Sequence, residues 1–294
     1  MRVRIPRSFV LLVDYAKMRF CSCAAGMTER SVKIQEEFML NDLCLRVNEF
    51  DEVLGYSSKK ECHRILHNTT PLHRAFSLFL FRHSPLPKSG LQLLVQRRSS
   101  SKFTFPTLWS NTCCSHPIAN IPQETVEENA LGVKWAAARK VEHELGICAY
   151  TYMPVSNVHF LTRIVYFALN EPSGSDQWAE HELDYILVSV LPKSVDFSEG
   201  PCIVNRNPEE VSDVLWMDRE QMKQFFQLEP LTSMVDCGPN LSCMDFTPWF
   251  RALALGGYLD RLWRWSEALC SGDQRLFDEE DSFWDRSAII RLNS

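Results

Sequence analysis

No run of apolar residues in this chain approaches the roughly 20 that a helix needs to cross a bilayer, so no membrane-spanning helix is expected. Positive charge is not in excess either. The formal net charge is −6, which argues against a general nucleic-acid surface and leaves room only for a local basic pocket that takes a phosphorylated small molecule. No Cys-x-x-Cys pair occurs, so a structural zinc finger is not expected. The 11 cysteines, an odd number spread over 294 residues, are not the dense framework of a small secreted domain. They read as free thiols in a reducing compartment, with at least one available for chemistry. Internal repeats and low-complexity tracts are absent, and the closing Leu292-Asn293-Ser294 is not a peroxisomal tripeptide of the Ser-Lys-Leu type.

The rest of the composition is that of an ordinary globular chain, 45% hydrophobic and 23% charged, long enough for one large domain or two small ones. The first 27 residues carry Arg2, Arg4, Arg7, Lys17 and Arg19 against Asp14 alone. Such Arg-rich, acid-poor composition fits a transit peptide, with an unstructured extension as the alternative and Met27 as an alternative start. Residues 1–42 are therefore read as an extension, disordered or targeting, and 266–294 as a C-terminal tail. A cytoplasmic location is expected, with mitochondrial and peroxisomal ones left open.

Between these ends the pattern alternates. Strands are expected at Leu43–Val47, Val53–Tyr56, Ala75–Phe81, Leu91–Val95, Asn157–Leu169, Leu183–Leu191 and Val214–Met217, from their β-branched and aromatic content. Ser84–Gly90 reads as a loop. Over Pro122–Gly146, Val126, Ala130, Val133, Ala137, Val141 and Leu145 recur at spacings of three and four, which predicts a loop running into one long helix that Gly146 stops. A helix is expected from about Arg219 to Leu228, an inserted loop over Glu229–Asp245, and Trp-rich helices from Thr247 onward. Strands broken by one central helix and followed by further helices imply a single α+β domain.

The chemistry-bearing residues concentrate in Asn111-Thr112-Cys113-Cys114-Ser115-His116-Pro117, with His63 and His73 upstream and Glu180-His181-Glu182 downstream. On an extended segment residues two apart share a face, so Glu180 and Glu182 point together and His181 points away. Three imidazoles and two carboxylates compose a mixed nitrogen and oxygen shell, although each residue taken alone is more often a surface or core side chain.

Several motifs together go further. Lys59-Lys60-Glu61-Cys62-His63, Leu72-His73-Arg74-Ala75-Phe76-Ser77, Phe105-Pro106, Thr112-Cys113-Cys114-Ser115-His116-Pro117, Trp178-Ala179-Glu180-His181-Glu182-Leu183-Asp184-Tyr185 and Thr247-Pro248-Trp249-Phe250 resemble type I isopentenyl-diphosphate isomerases, in family order, from about Leu43 to about Trp265. The resemblance implies a Nudix-type α/β/α sandwich with a mixed sheet and extra C-terminal helices. It implies interconversion of isopentenyl and dimethylallyl diphosphate through a tertiary cation. By the same resemblance His63, His73, His116, Glu180 and Glu182 form a metal shell, Cys114 and Glu182 are the catalytic pair, and Tyr166 assists proton transfer. Glu144 meets a Mg²⁺ ion carried by the diphosphate. Lys59, Arg98, Lys102 and Ser115 contact the diphosphate, joined by Arg139 or Lys140, and Trp249 faces the reacting carbons. Three imidazoles suit Zn²⁺, Mn²⁺ or Fe²⁺ better than Mg²⁺, so the histidine site is left to a divalent metal, Mg²⁺, Mn²⁺ or Zn²⁺ among them. A monomer acting on a small-molecule diphosphate is expected.

The sequence also departs from the pattern. Thr107 stands where the family carries glycine after Phe-Pro, which implies strain if φ is positive there. Asn170–Gln177 and Leu231–Cys243 look longer than usual. The stretch Arg139-Lys140-Val141-Glu142-His143-Glu144 puts Lys140 and His143 where the hydrolytic Nudix helix wants carboxylates. A Nudix hydrolase and an inert binding module on the same fold are the alternatives.

Overall fold

The computed structural model describes residues 29–85, 90–170, 178–193, 204–226, 245–272 and 285–292. The expected Ser84–Gly90 loop, the two longer segments at 170–177 and 231–243, the transit-like residues 1–27 and residues 273–284 of the tail lie wholly or largely outside them.

One mixed sheet organises the chain. Its main path runs β10 (Ile289–Arg291), β7 (His159–Leu169), β8 (Ala179–Val190), β3 (His73–His83), β1 (Leu43–Val47) and β2 (Val53–Ser58). The central β3–β8 pair is parallel and runs unbroken from His73↔Glu182 to Phe81↔Val190. On its other side β3 meets β1 at His73, β6 (Cys113–Ser115) at Phe76–Leu78 and β4 (Leu91–Arg98) at Phe81–His83. β4 in turn pairs with β5 (Trp109–Ser110) and β9 (Val211–Asp218). Where β3 and β4 diverge, the Thr112 hydroxyl spans the gap, accepting from Leu80 N–H at 2.8 Å and donating to Leu94 C=O at 2.6 Å.

Two cores follow from the period-2 alternation of the strands. Phe76, Leu78, Leu80 and Leu187 pack under α3 (Leu131–Leu145) and α4 (Ala149–Tyr152), against Val133, Ala137, Val141, Leu145 and Ala149. Phe79, Phe81, Ile186 and Val188 face the other way, onto α5 (Arg219–Phe226), α6 (Pro248–Leu255) and α7 (Tyr258–Ser271), where Phe250, Leu253 and Trp263 fill the space. These are the three α/β/α layers that the motifs implied.

Several boundaries differ from the sequence reading. The long helix starts at Leu131, because Asn129 and Ala130 sit at φ of 53° and 55° and break the run. Val126 therefore lies outside the helix and is 39% exposed. Gly146 does end it, at φ 65°. Residues 29–41, read as part of an extension, form α1 (Glu29–Asn41), whose end is tied to the start of α2 (Lys59–His63) by Lys59 N–H to Asp42 C=O at 2.8 Å. The tail likewise holds structure. α7 runs on to Ser271, and β10 lies parallel to β7, with Leu292 N–H donating to Val165 C=O at 2.9 Å.

Candidate active site

β8 supplies the axis of the site. It begins at Ala179, earlier than Leu183, so Glu180, Glu182 and Asp184 all lie on one strand and share a face. All three carboxyls are at most 5% exposed. Register fixes their neighbours: His73 is paired with Glu182 across the parallel ladder, and Tyr166 with Glu182 across the antiparallel one.

Four donors converge there. His63 from α2, His73 from β3, His116 from the loop after β6 and Glu182 from β8 bring one ligand atom each to within 4.8 Å of one another. His116 Nε2 lies 2.8 Å from Glu182 Oε1 and 3.2 Å from His73 Nε2. The outer nitrogens of two rings are committed to the backbone, His63 Nδ1 to Lys59 C=O at 2.7 Å and His73 Nδ1 to Pro71 C=O at 2.9 Å. That fixes their tautomer and turns Nε2 inward as a lone pair, the usual arrangement of a metal-bound imidazole. His63 Nε2 is buried with no hydrogen-bond partner, a costly state unless an ion is its partner. The donor set thus fits a divalent metal. Burial and the neighbouring imidazoles keep His63 well below its usual range, and burial brings His116 down to about 3 despite Glu182, so both remain neutral ligands. Glu180, expected in the shell, stands outside this group, its Oε2 3.3 Å from the Tyr166 hydroxyl. Burial and the Glu182 charge push it up to about 7.

On the other flank β6 places Cys114. Its thiol donates to Asn111 Oδ1 at 2.8 Å and receives the Trp249 indole N–H at 3.2 Å. Ser77 Oγ, 3.4 Å away, donates onward to Asp184 Oδ2 at 2.7 Å. Asn111 is held rigidly because its Nδ2 donates to Leu78 C=O and Cys113 C=O at 3.1 and 3.3 Å. Burial and the Asp184 carboxyl push the Cys114 thiol up to about 12. Trp249 enters at the start of α6, where Thr247 N–H is anchored on Trp109 C=O at 2.8 Å and Pro248 opens the helix. Its ring stacks on Tyr166 at 5.7 Å between centroids, and the Tyr166 hydroxyl donates to Glu182 Oε2. Contacts therefore run unbroken from thiol to indole to phenol to carboxyl.

Cys114, Ser115, His63, His116, Glu180, Glu182 and Trp249 line one cleft, together with Lys59, Arg98 and Lys102 and with Gln35 and Met39 of α1. Lys59, Lys102 and Lys140 are close enough that, after burial, the two other ammonium groups depress Lys59. Of the two candidates on α3, Lys140 faces this end: its Nζ lies 2.9 Å from Glu144 Oε1, while Arg139 turns away to Glu124 at 2.9 Å. Glu144 stands apart from the histidine group, and although burial opposes its charge, Lys140 and Lys102 hold it down to about 2. Lysine at 140 thus occupies the helix face where a hydrolytic metal cluster needs acid. Arg98 is largely engaged elsewhere, donating to Thr104 C=O and Phe105 C=O at 2.8 and 3.0 Å, which pins the loop under Trp249. That loop holds Thr107 at φ 66°, the strained position the sequence anticipated.

Asn111, Asp184, Gln35 and Glu210 went unassigned in the sequence reading, the first two although they lie inside quoted motifs. A buried polar side chain at a motif position was the available signal for those two. Nothing local marks Gln35 or Glu210.

A NUDIX domain model matches residues 71–233, more than half of the chain. The isopentenyl-diphosphate delta-isomerase of Phaffia rhodozyma is 41% identical over 240 residues, covering 80% of this chain and 80% of that protein. Isopentenyl-diphosphate Delta-isomerase I of Clarkia breweri is 37% identical over 273 residues, 89% of this chain and 85% of its own length. The corresponding protein of Camptotheca acuminata is 40% identical over 232 residues, 78% of this chain and 86% of its own. With identity of this level spread over most of both partners, the chain belongs to the isopentenyl-diphosphate delta-isomerase family, built on a NUDIX domain.

Proposed function

We propose that this chain interconverts isopentenyl diphosphate and dimethylallyl diphosphate through a tertiary carbocation, with Cys114 and Glu182 as the proton-transfer pair. The observation that carries the reading is the single cleft in which the thiol and the carboxyl meet through Trp249 and Tyr166.

The reaction adds a proton at the terminal alkene carbon and removes one from the methylene two places along, so it needs two groups that exchange roles between directions. At rest Cys114 is the neutral thiol, held by burial and Asp184, and a divalent ion among His63, His73 and His116 would hold Glu182 as the carboxylate. Each of the two exchanges one proton with the substrate, and the Tyr166 hydroxyl, bonded to Glu182, assists on the carboxyl side. In the reverse direction the proton returns by the same two groups. Trp249 offers a π face to the cation, and the Trp249–Tyr166–Phe105 wall keeps out water that would trap the cation as an alcohol. Lys59, Lys102, Lys140 and Ser115 would hold the diphosphate, and Glu144 would help hold the Mg²⁺ ion that comes with it. A divalent metal held by His63, His73, His116 and Glu182, with Glu180 beside it, would fix the Glu182 carboxyl and tune its acidity; Zn²⁺ or Mn²⁺ suits three imidazoles better than Mg²⁺.

The purified protein with isopentenyl diphosphate and Mg²⁺ is expected to yield the dimethylallyl isomer, followed by proton incorporation from solvent. Cys114→Ser and Glu182→Gln are each expected to lower kcat by at least roughly 10²-fold, the usual scale of one acid–base group. Full activity in both variants would reject the mechanism.

A further inference from the structure

Glu210 is a charge at the diphosphate end for which the mechanism has no use. It precedes β9 in a turn closed by its own N–H on Asn207 C=O at 3.0 Å, and it is 2% exposed. Its Oε1 accepts from Gln35 Nε2 of α1 at 3.0 Å, and its Oε2 accepts from Lys102 Nζ. Lys140 Nζ stands 3.8 Å away, and His143 Nδ1 3.9 Å. Glu144 already neutralises the same two lysines, at 2.9 Å from Lys140 and 3.6 Å from Lys102. Two buried carboxylates therefore oppose two of the three lysines that would meet an incoming anion.

A second buried anion beside an anion site costs affinity, so its place needs a reason. Substrate and product carry the same diphosphate. Attraction to that group is equal for both, gives no gain in the chemical step, and slows departure. We propose that Glu210 tempers the diphosphate subsite, orienting Lys102 through one oxygen while cancelling enough positive charge for product to leave. The inference rests on reading the lysine end of the cleft as the diphosphate subsite. It assigns Glu210 a positioning and affinity-setting role, with Gln35 of α1 as its anchor.

The test is calorimetric titration of the full-length, metal-loaded protein with Mg²⁺-pyrophosphate, alongside steady-state kinetics with isopentenyl diphosphate. In Glu210→Gln, which keeps shape and hydrogen bonding but removes one charge near the anion, pyrophosphate binding is expected to tighten roughly fivefold or more. KM should fall with it, and kcat should fall as release slows. A merely structural role predicts weaker binding and a higher KM. Unchanged or weaker binding in the folded variant overturns the proposal. If Glu210→Gln does not fold, Gln35→Lys, which sets an ammonium against the other oxygen of Glu210, takes its place: tighter binding supports the proposal, and unchanged or weaker binding overturns it. The wild type and Lys102→Gln separate the two readings. Pyrophosphate failing to bind wild type, or binding Lys102→Gln equally well, removes the subsite itself and this inference with it. Binding that depends on Lys102 but ignores Glu210 leaves the subsite standing and sinks the inference alone.

Discussion

Thr107 holds a backbone conformation that its side chain disfavours, at φ 66°, while its N–H and C=O are bonded to Arg98 C=O at 3.2 Å and Arg97 Nε at 2.9 Å. A non-glycine residue in this region pays about 1–2 kcal/mol, and glycine forfeits roughly 0.5–1 kcal/mol of chain entropy on folding. Thr107→Gly is therefore expected to gain on the order of 0.5–1 kcal/mol, read by urea denaturation, as the difference between those two costs. Cys114 presents the opposite case, a side chain whose surroundings suppress its charge. Since burial and Asp184 push the thiol up to about 12, the thiolate fraction is small at neutral pH and grows with each added unit well past the range where an ordinary thiol is fully ionised. Iodoacetamide labelling of the Cys114 peptide, followed by mass spectrometry, should accelerate from pH 7 through pH 10 without levelling. A plateau near pH 9 would contradict the assigned environment.

At the scale of the element, α2 shows how little structure can position two functional groups. It spans five residues, and a full capping box closes it: Glu61 N–H donates to Ser58 Oγ at 3.2 Å and Ser58 N–H to Glu61 Oε2 at 2.9 Å. Lys59 opens this helix and His63 ends it. Ser58→Ala is expected to cost about 1 kcal/mol of stability and, because α2 presents His63, to weaken metal binding several-fold, both measurable by melting and by metal titration. Legibility in the sequence followed the same scale. β3, β4 and β7 were readable because alternating or continuous apolar runs survive any tertiary context. The start of α3 was not, since Ala130 and Val126 fit the helical period yet the chain turns left-handed at Asn129 and Ala130 to bring Gly132 against the Glu124 backbone, where an added Cβ would lie 2.3 Å from a carbonyl. β5 and β6 are two and three residues long, too short for any periodicity. α1 and β10 depend on surfaces supplied by residues far away. In the site, the motif residues were legible by resemblance, whereas the Gln35–Glu210–Lys102 contacts join segments 108 and 175 residues apart and leave no local trace.

For the whole molecule, the histidine site is a cross-link that a bound ion would complete. It draws together α2, β3, the loop after β6 and β8, so anything bound there stabilises the folded chain by mass action. At a metal concentration of about 100 times Kd the gain is roughly 2.7 kcal/mol, which for a domain of this size raises Tm by several degrees. Scanning calorimetry with added Zn²⁺ or Mn²⁺ should show that rise, a chelator should reverse it, and His63→Ala should abolish the shift. A Tm indifferent to both ions in the wild type would exclude a stabilising ion at these four residues.

The pairing of His73 with Glu182 bears on the route by which the chain acquires that ion. These two ligands come from strands separated by more than a hundred residues and meet only through a parallel ladder, among the slowest contacts for a polypeptide to form. No shorter stretch of the nascent or denatured chain holds the full set of donors. Capture of an ion would consequently follow collapse of the sheet, and the ion would act as a late lock, expected to leave the refolding rate untouched and to lengthen the lifetime of the finished molecule.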